Sequence, residues 1–128
     1  MSKSYKFIVP GDPIPYLRMT VGQARLMRAK YHRLSPKTQK VYDKVKRYLD
    51  YKDAVKLISL PHKFDRAPKE KVHMTVTAYF KNNVRGDMDN IFKGMADAIF
   101  NNDKNVIGAF DFFFDAANPR VECEILEP

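Results

Sequence analysis

The most constraining feature of this chain is a change of hydrophobic period between residues 72 and 114. Val72, Met74, Val76, Ala78 and Phe80 alternate with His73, Thr75, Thr77 and Tyr79, the two-residue period of a strand. From Asn90 to Phe100 the period lengthens, and Ile91, Phe92, Met95, Ala98 and Ile99 line one face of a helix. Asn101 to Asn105 is rich in turn residues, and Val106 to Phe114 then reads as a buried strand. A strand, a helix and a second strand within 43 residues predict a right-handed crossover between parallel strands. Ligands of such units sit outside the carboxyl ends of the strands, where Asp87 and Asp89 fall.

The flanking segments extend this plan. Tyr5 to Val9 alternates as a strand and is closed by the rigid Pro10 to Pro15 segment. Tyr16 to Leu34 has weak periodicity, with Tyr16, Met19, Met27 and Tyr31 interleaved among basic residues, and reads as a long functional loop. Ser35-Pro36 suits a helix start, and Val41, Val45, Tyr48, Val55 and Ile58 carry the helix to about Leu57. Pro61 to Glu70 is a charged connector, and Lys81 to Gly86 a short one. After the Asp115 to Pro119 turn, Val121 to Ile125 alternates and is expected to form a hairpin with the preceding strand. The expected fold is α/β (α+β): one domain over residues 1–128, with about four strands in a mixed sheet and two main helices, in the order β-loop-α-β-α-β-β.

Charge narrows the partners. The chain carries +8 overall, yet from Arg18 to Lys56 twelve Lys or Arg stand against three Asp, so the remainder sums to about −1. A one-sided basic region is the footprint of a polyanion binder, because phosphate contacts release condensed counterions. Arg18, Arg25, Arg28, Lys30, Arg33, Lys40, Lys44 and Arg85 are the candidate DNA contacts. Cys123 is the only cysteine, which excludes an intramolecular disulfide and a thiolate zinc site built from one chain. No apolar run has signal-peptide or membrane-spanning length, so a cytoplasmic protein with no membrane partner is expected.

Inside this basic chain lies an acid-centred cluster, Asp87-Met88-Asp89-Asn90 with Lys93, Asp97 and, later, Asp103. Two readings of it stand open. In one, an aspartate caps the helix, Asp89, Lys93 and Asp97 form an exposed ion-pair ladder at i, i+4 and i+8, and Asp103 is a turn residue. In the other, the carboxylates hold a divalent cation beside a phosphate. Oxygen donors would favour Mg²⁺ or Mn²⁺ over zinc. An EF-hand is excluded, since the sixth place from Asp87 is Phe92 and the twelfth is Ala98. His32, His62 and His73 have no paired spacing. The metal reading requires Asp103 to return along a helix that spans about 15 Å over ten residues.

The run Arg85-Gly86-Asp87-Met88-Asp89-Asn90, with Lys93, Asp97, Asn102-Asp103 and Val106, resembles the RusA-type endodeoxyribonucleases, phage-derived Holliday junction resolvases. The order of elements is similar over nearly the whole chain. The resemblance implies a homodimeric, Mg²⁺-dependent hydrolase, with Mn²⁺ able to substitute, that nicks two strands symmetrically across four-way DNA in recombination and repair. It implies Asp87, Asp89 and Asp103 as metal-ligating carboxylates and Lys93 as the catalytic lysine near the scissile phosphate, with Asn90 and Asp97 in supporting positions. The family's turn often carries two adjacent aspartates, and here the first place is Asn102. The alternatives are a non-catalytic basic nucleic-acid-binding module, a nuclease for other branched DNA, and an interaction protein using Phe112 to Phe114.

Overall fold

The computed structural model describes residues 3–82 and 87–128. Strand β1 (Lys3–Pro10) leads into a short helix α1 (Val21–Leu26) and a long helix α2 (Pro36–Ser59). Strand β2 (Val72–Phe80), helix α3 (Met88–Ile99), and strands β3 (Val106–Phe114) and β4 (Arg120–Glu127) follow. The four strands form one mixed sheet in the order β1-β4-β2-β3. β2 and β3 are parallel, as the strand–helix–strand pattern requires, and the other pairings are antiparallel.

One face of the sheet is packed and the other is open. Val72, Met74, Val76, Ala78 and Phe80 of β2, Val121, Cys123 and Ile125 of β4, and Phe7 and Val9 of β1 are buried. They meet Met88, Ile91, Met95, Ala98 and Ile99 of α3, with Val55 of α2 in the same cluster. Each such side chain contributes roughly 1.5–3 kcal/mol by leaving water. On the open face, Ile8, Ile107, Phe113 and Leu126 remain 41–54% exposed. The expected α+β fold with a mixed four-stranded sheet is therefore present, and α2 and α3 are its two main helices.

Three expectations need correction. Val106 to Phe114 is not buried: β3 is an edge strand, and Ile107, Phe110, Phe113 and Phe114 are 43–49% exposed. Continuous apolarity reads the same at a covered centre and at an uncovered edge, because period alone does not report neighbours. Val121 to Ile125 is not the hairpin partner of β3. β4 crosses β2 and inserts between it and β1, which lets its three alternating apolar residues bury fully. The crossing is held by Asp115 N–H donating to the Phe80 carbonyl at 2.9 Å and by Arg120, ion-paired to Asp115 and Glu122 and 3.7 Å above the Tyr79 ring.

Tyr16 to Leu34, finally, is not all loop. Thr20 and Gln23 form a reciprocal capping box, two bonds of 3.1 Å, that starts α1. The Thr-x-x-Gln spacing was the available signal, and the weak apolar periodicity hid it. A single 3-10 turn, Tyr31–Arg33, ends the segment. The Tyr31 hydroxyl donates to Asp43 at 3.0 Å, and Gln39 donates to the Tyr31 carbonyl at 3.1 Å, tying the segment to α2.

The ends of both long helices share one partner. The Arg66 guanidinium donates to the Ser59 hydroxyl and carbonyl, both at 2.8 Å, to the His62 carbonyl at 2.9 Å and to the Ile99 carbonyl at 3.3 Å. It lies 3.8 Å over the Phe64 ring. The Arg66 carbonyl accepts from Asn101 N–H at 2.7 Å and Asn102 N–H at 3.2 Å. Arg66→Ala is expected to destabilise the fold by about 2–4 kcal/mol, read as a lowered urea midpoint, with Arg66→Lys recovering only part because an ammonium cannot reach the same acceptors.

Burial pushes the Tyr51 phenol well above its usual range, and burial followed by Asp97 does the same to Tyr48. Burial likewise pushes the Cys123 thiol up to about 12. For each, the fold favours the protonated form, so its contribution is complete below the unfolded value and is lost as pH rises from there through the raised folded value. Urea stability is expected to fall as pH rises past the ordinary tyrosine value of 10.0, and Tyr51→Phe is expected to flatten that fall.

Candidate active site

Asp87 is the N-cap of α3, and its Oδ1 accepts from Asp89 N–H at 2.9 Å. The capping half of the sequence reading is thus realised, by Asp87 alone and with one of its two oxygens. Asp89 lies in the first turn of α3, where the helix dipole favours a negative charge, and is exposed. Its carboxylate has no hydrogen-bond or ion-pair partner among the described residues.

The ion-pair ladder does not form. Asp97 turns to α2 instead, pairing with Lys52 at 2.9 Å and accepting from the Tyr48 hydroxyl at 3.2 Å. It ties the two helices together and does not line the acidic hollow. Lys93 makes no ion pair among the described residues, and its ammonium lies 5.0 Å from the centroid of the Tyr16 ring.

Asp103 does come back to α3. Phe100 is buried, Asn101 and Asn102 hang from the Arg66 carbonyl, and the Asp103 carbonyl accepts from Val106 N–H at 3.0 Å. Asn105 completes the turn, accepting from Val72 N–H through its carbonyl and donating to the Pro68 carbonyl, both at 2.9 Å. The chain then enters β3 beside β2, so its turn faces the flank of α3. Asp89, Asn90, Phe92, Lys93, Ala96, Asp103 and Val106 line one hollow of about 300 Å³. Asp89 and Ala96 are seven residues apart, about 10 Å along the axis. The hollow is therefore elongated along α3, with Lys93 between Asp89 and Ala96 on the helix and Asp103 on the turn that faces it. No three acidic, histidine or cysteine side chains among the described residues gather closely enough to hold an ion by themselves.

Asp87 lines a neighbouring, larger hollow of about 580 Å³, and Asn90 borders both. Its floor is the Pro13 to Leu17 strap with Tyr48, and its far wall is Lys40, Lys44 and Arg47 of α2. The strap is fixed near the carboxyl end of β2. Gly11, at a φ of 98° that favours glycine, turns the chain, Lys81 N–H donates to Asp12 at 3.0 Å, and Tyr16 N–H donates to the Asn90 carbonyl at 2.9 Å. Asp43, the one carboxylate on α2 in this wall, accepts from the Tyr31 hydroxyl, and none of the three cations makes an ion pair among the described residues.

The other basic candidates, Arg18, Arg25, Arg28, Lys30 and Arg33, are exposed along the segment before α2. Arg85 lies outside the described residues. Two residues that line these hollows were not among the candidate contacts. Arg47 shares a helix face with Lys40 and Lys44, a signal present in their spacing. Tyr16 stood among the aromatics of the basic loop, but its partners Tyr48, Asn90 and Lys93 all lie far from it in the chain.

The donor set fits a hard divalent cation that keeps several waters. Asp89 and Asp103 offer only oxygens and are exposed, and among the described residues both are unpaired and Asp87 has one oxygen without a partner. No helix among the described residues is long and apolar enough to cross a membrane. No individual curated protein matches the sequence. The family model described as endodeoxyribonuclease RusA matches residues 11–126. That match takes in the strap, the basic face of α2, the acidic groove, strands β2 and β3 and nearly all of β4, and the chain belongs to the RusA endodeoxyribonuclease family.

Proposed function

We propose that this chain is a structure-specific endodeoxyribonuclease that resolves four-way DNA junctions, working as a homodimer with Mg²⁺ or Mn²⁺. The observation that carries the reading is the groove in which Asp89, Lys93 and Asp103 stand together beside an unpaired basic wall. Asp89 and Asp103 would hold the cation, with Asp87 supplying its free oxygen from the adjoining hollow. A divalent cation bound there supplies Lewis-acid stabilisation of phosphate charge and lowers the pKa of a bound water.

The chain's own residues do the rest. Lys40, Lys44 and Arg47 would take phosphates of the strand, reading backbone shape rather than base identity. Lys93 would place its positive charge beside the scissile phosphate as negative charge develops there. The cap at Asp87 and the Asp97 ties to Lys52 and Tyr48 keep α3 rigid, so its flank presents a fixed geometry. A second copy would supply the second nick of a two-fold symmetric junction. The outer position of β3 in the sheet, with Phe110, Phe113 and Phe114 exposed, supports a second copy docking there.

With a synthetic four-way junction and Mg²⁺, the wild type is expected to release paired nicked products, and Asp89→Asn to lose about 100-fold or more in rate. Junction affinity of Asp89→Asn should be kept or raised, because repulsion of phosphate falls. An inactive wild type, or an Asp89→Asn variant that cuts at full rate, overturns the assignment. Loss of cleavage together with binding would argue for a structural Asp89.

Replacing Lys44 and Arg47 together with Ala is expected to weaken binding to junctions of any sequence alike. The slope of log affinity against log salt should drop by about 0.9 for each phosphate contact removed. An unchanged slope by fluorescence anisotropy would remove the basic wall from the DNA path.

A further inference from the structure

Lys93 is flanked on its own helix by two carboxylates that could neutralise it, Asp89 one turn before and Asp97 one turn after. It pairs with neither. Asp97 is taken by Lys52 and the Tyr48 hydroxyl, and the Lys93 ammonium instead sits 5.0 Å from the Tyr16 ring centroid. That is within the reach of a cation–π attraction, which holds a cation without cancelling its charge.

Tyr16 reaches this place by design of the packing around it. Its N–H donates to the Asn90 carbonyl at 2.9 Å, three residues before Lys93. Its backbone lies directly against Gly94, where an added Cβ would meet Tyr16 N at 3.2 Å and Tyr16 Cα at 3.4 Å. Its ring stands edge-on to Tyr48, centroids 6.0 Å apart. The bond to Asn90, the bare face of Gly94 and the Tyr48 edge all hold one ring beneath one ammonium.

We propose that Tyr16 is the positioning residue for Lys93, holding the ammonium as an uncancelled charge at the acidic groove through the face of its ring. The inference rests on the role given to Lys93 in the proposed reaction. A free lysine stem samples many rotamers, and the ring restricts them before DNA arrives. Gly94 is the matching device on α3, since any side chain there would push the strap, and with it the ring, away from Lys93.

The test is single-turnover cleavage of a Mg²⁺-loaded four-way junction, with junction Kd measured in parallel. Tyr16→Leu is expected to slow cleavage about 3- to 30-fold at unchanged Kd. Tyr16→Phe, which keeps the ring, should recover most of that loss, and Gly94→Ala should slow cleavage in the same direction as Leu. In a Lys93→Ala background, Tyr16→Leu should add no further loss. The proposal is overturned if Phe is as damaging as Leu, if the loss appears in Kd, or if it persists without Lys93. A Lys93→Ala variant that cuts at the wild-type rate overturns the role of Lys93 and this inference together. A strong Lys93→Ala defect beside a fully active Tyr16→Leu overturns the role of Tyr16 alone.

Discussion

The structure depends on Arg66. One guanidinium closes the carboxyl ends of α2 and α3 at once, satisfying carbonyls that a helix end leaves without partners. The same residue's carbonyl holds Asn101 and Asn102, the first two links of the turn that carries Asp103. A part-buried charge is tolerated here because its donors are matched by acceptors and its face by the Phe64 ring. Helix docking and the placement of a candidate site carboxylate are thereby tied to one side chain. That side chain sits in a connector which, as sequence, carries no apolar pattern at all.

Around that anchor the molecule separates its charges. Carboxylates stand along the flank of α3 and cations along the face of α2, with the Pro13 to Leu17 strap between them. Asn90 is the seam: its side borders both hollows and its carbonyl holds Tyr16. Carboxylates that might have cancelled the useful cations are occupied elsewhere. Asp43 accepts from Tyr31, Asp50 pairs with Lys46, and Asp97 pairs with Lys52. A basic wall beside an acidic groove, with no ion pair within either among the described residues, presents both signs of charge to a ligand.

Much of the fold was legible because burial on one side leaves a period. Val72 to Phe80 and the apolar face of α3 declared themselves by alternation and by helical spacing, and both are buried in the core. Ser35-Pro36 announced α2 through its cap. What period could not report was neighbourhood. The apolar run of β3 looked like a central strand and lies at an edge, and β4 looked like a hairpin partner and crosses to the other side of β2. In the site, Asp87, Asp89, Lys93 and Asp103 were legible as residues of suitable chemistry, whereas Asp97 proved to be a helix tie.

By itself, the sequence determined the four strands and the two main helices, where the charge of each sign is concentrated, and which acids lie at the start of α3. Those properties are local, set by side-chain period, capping chemistry and composition. Only the tertiary structure decided that Asp103 returns to the flank of α3, that Lys93 rests on Tyr16 rather than on Asp89 or Asp97, and that Arg47 joins Lys40 and Lys44 across from Asp87. Each of these sets residues far apart in the chain beside one another through a few contacts, such as the Arg66 carbonyl or the Gly94 face. A contact of that kind leaves no periodic trace, because nothing repeats.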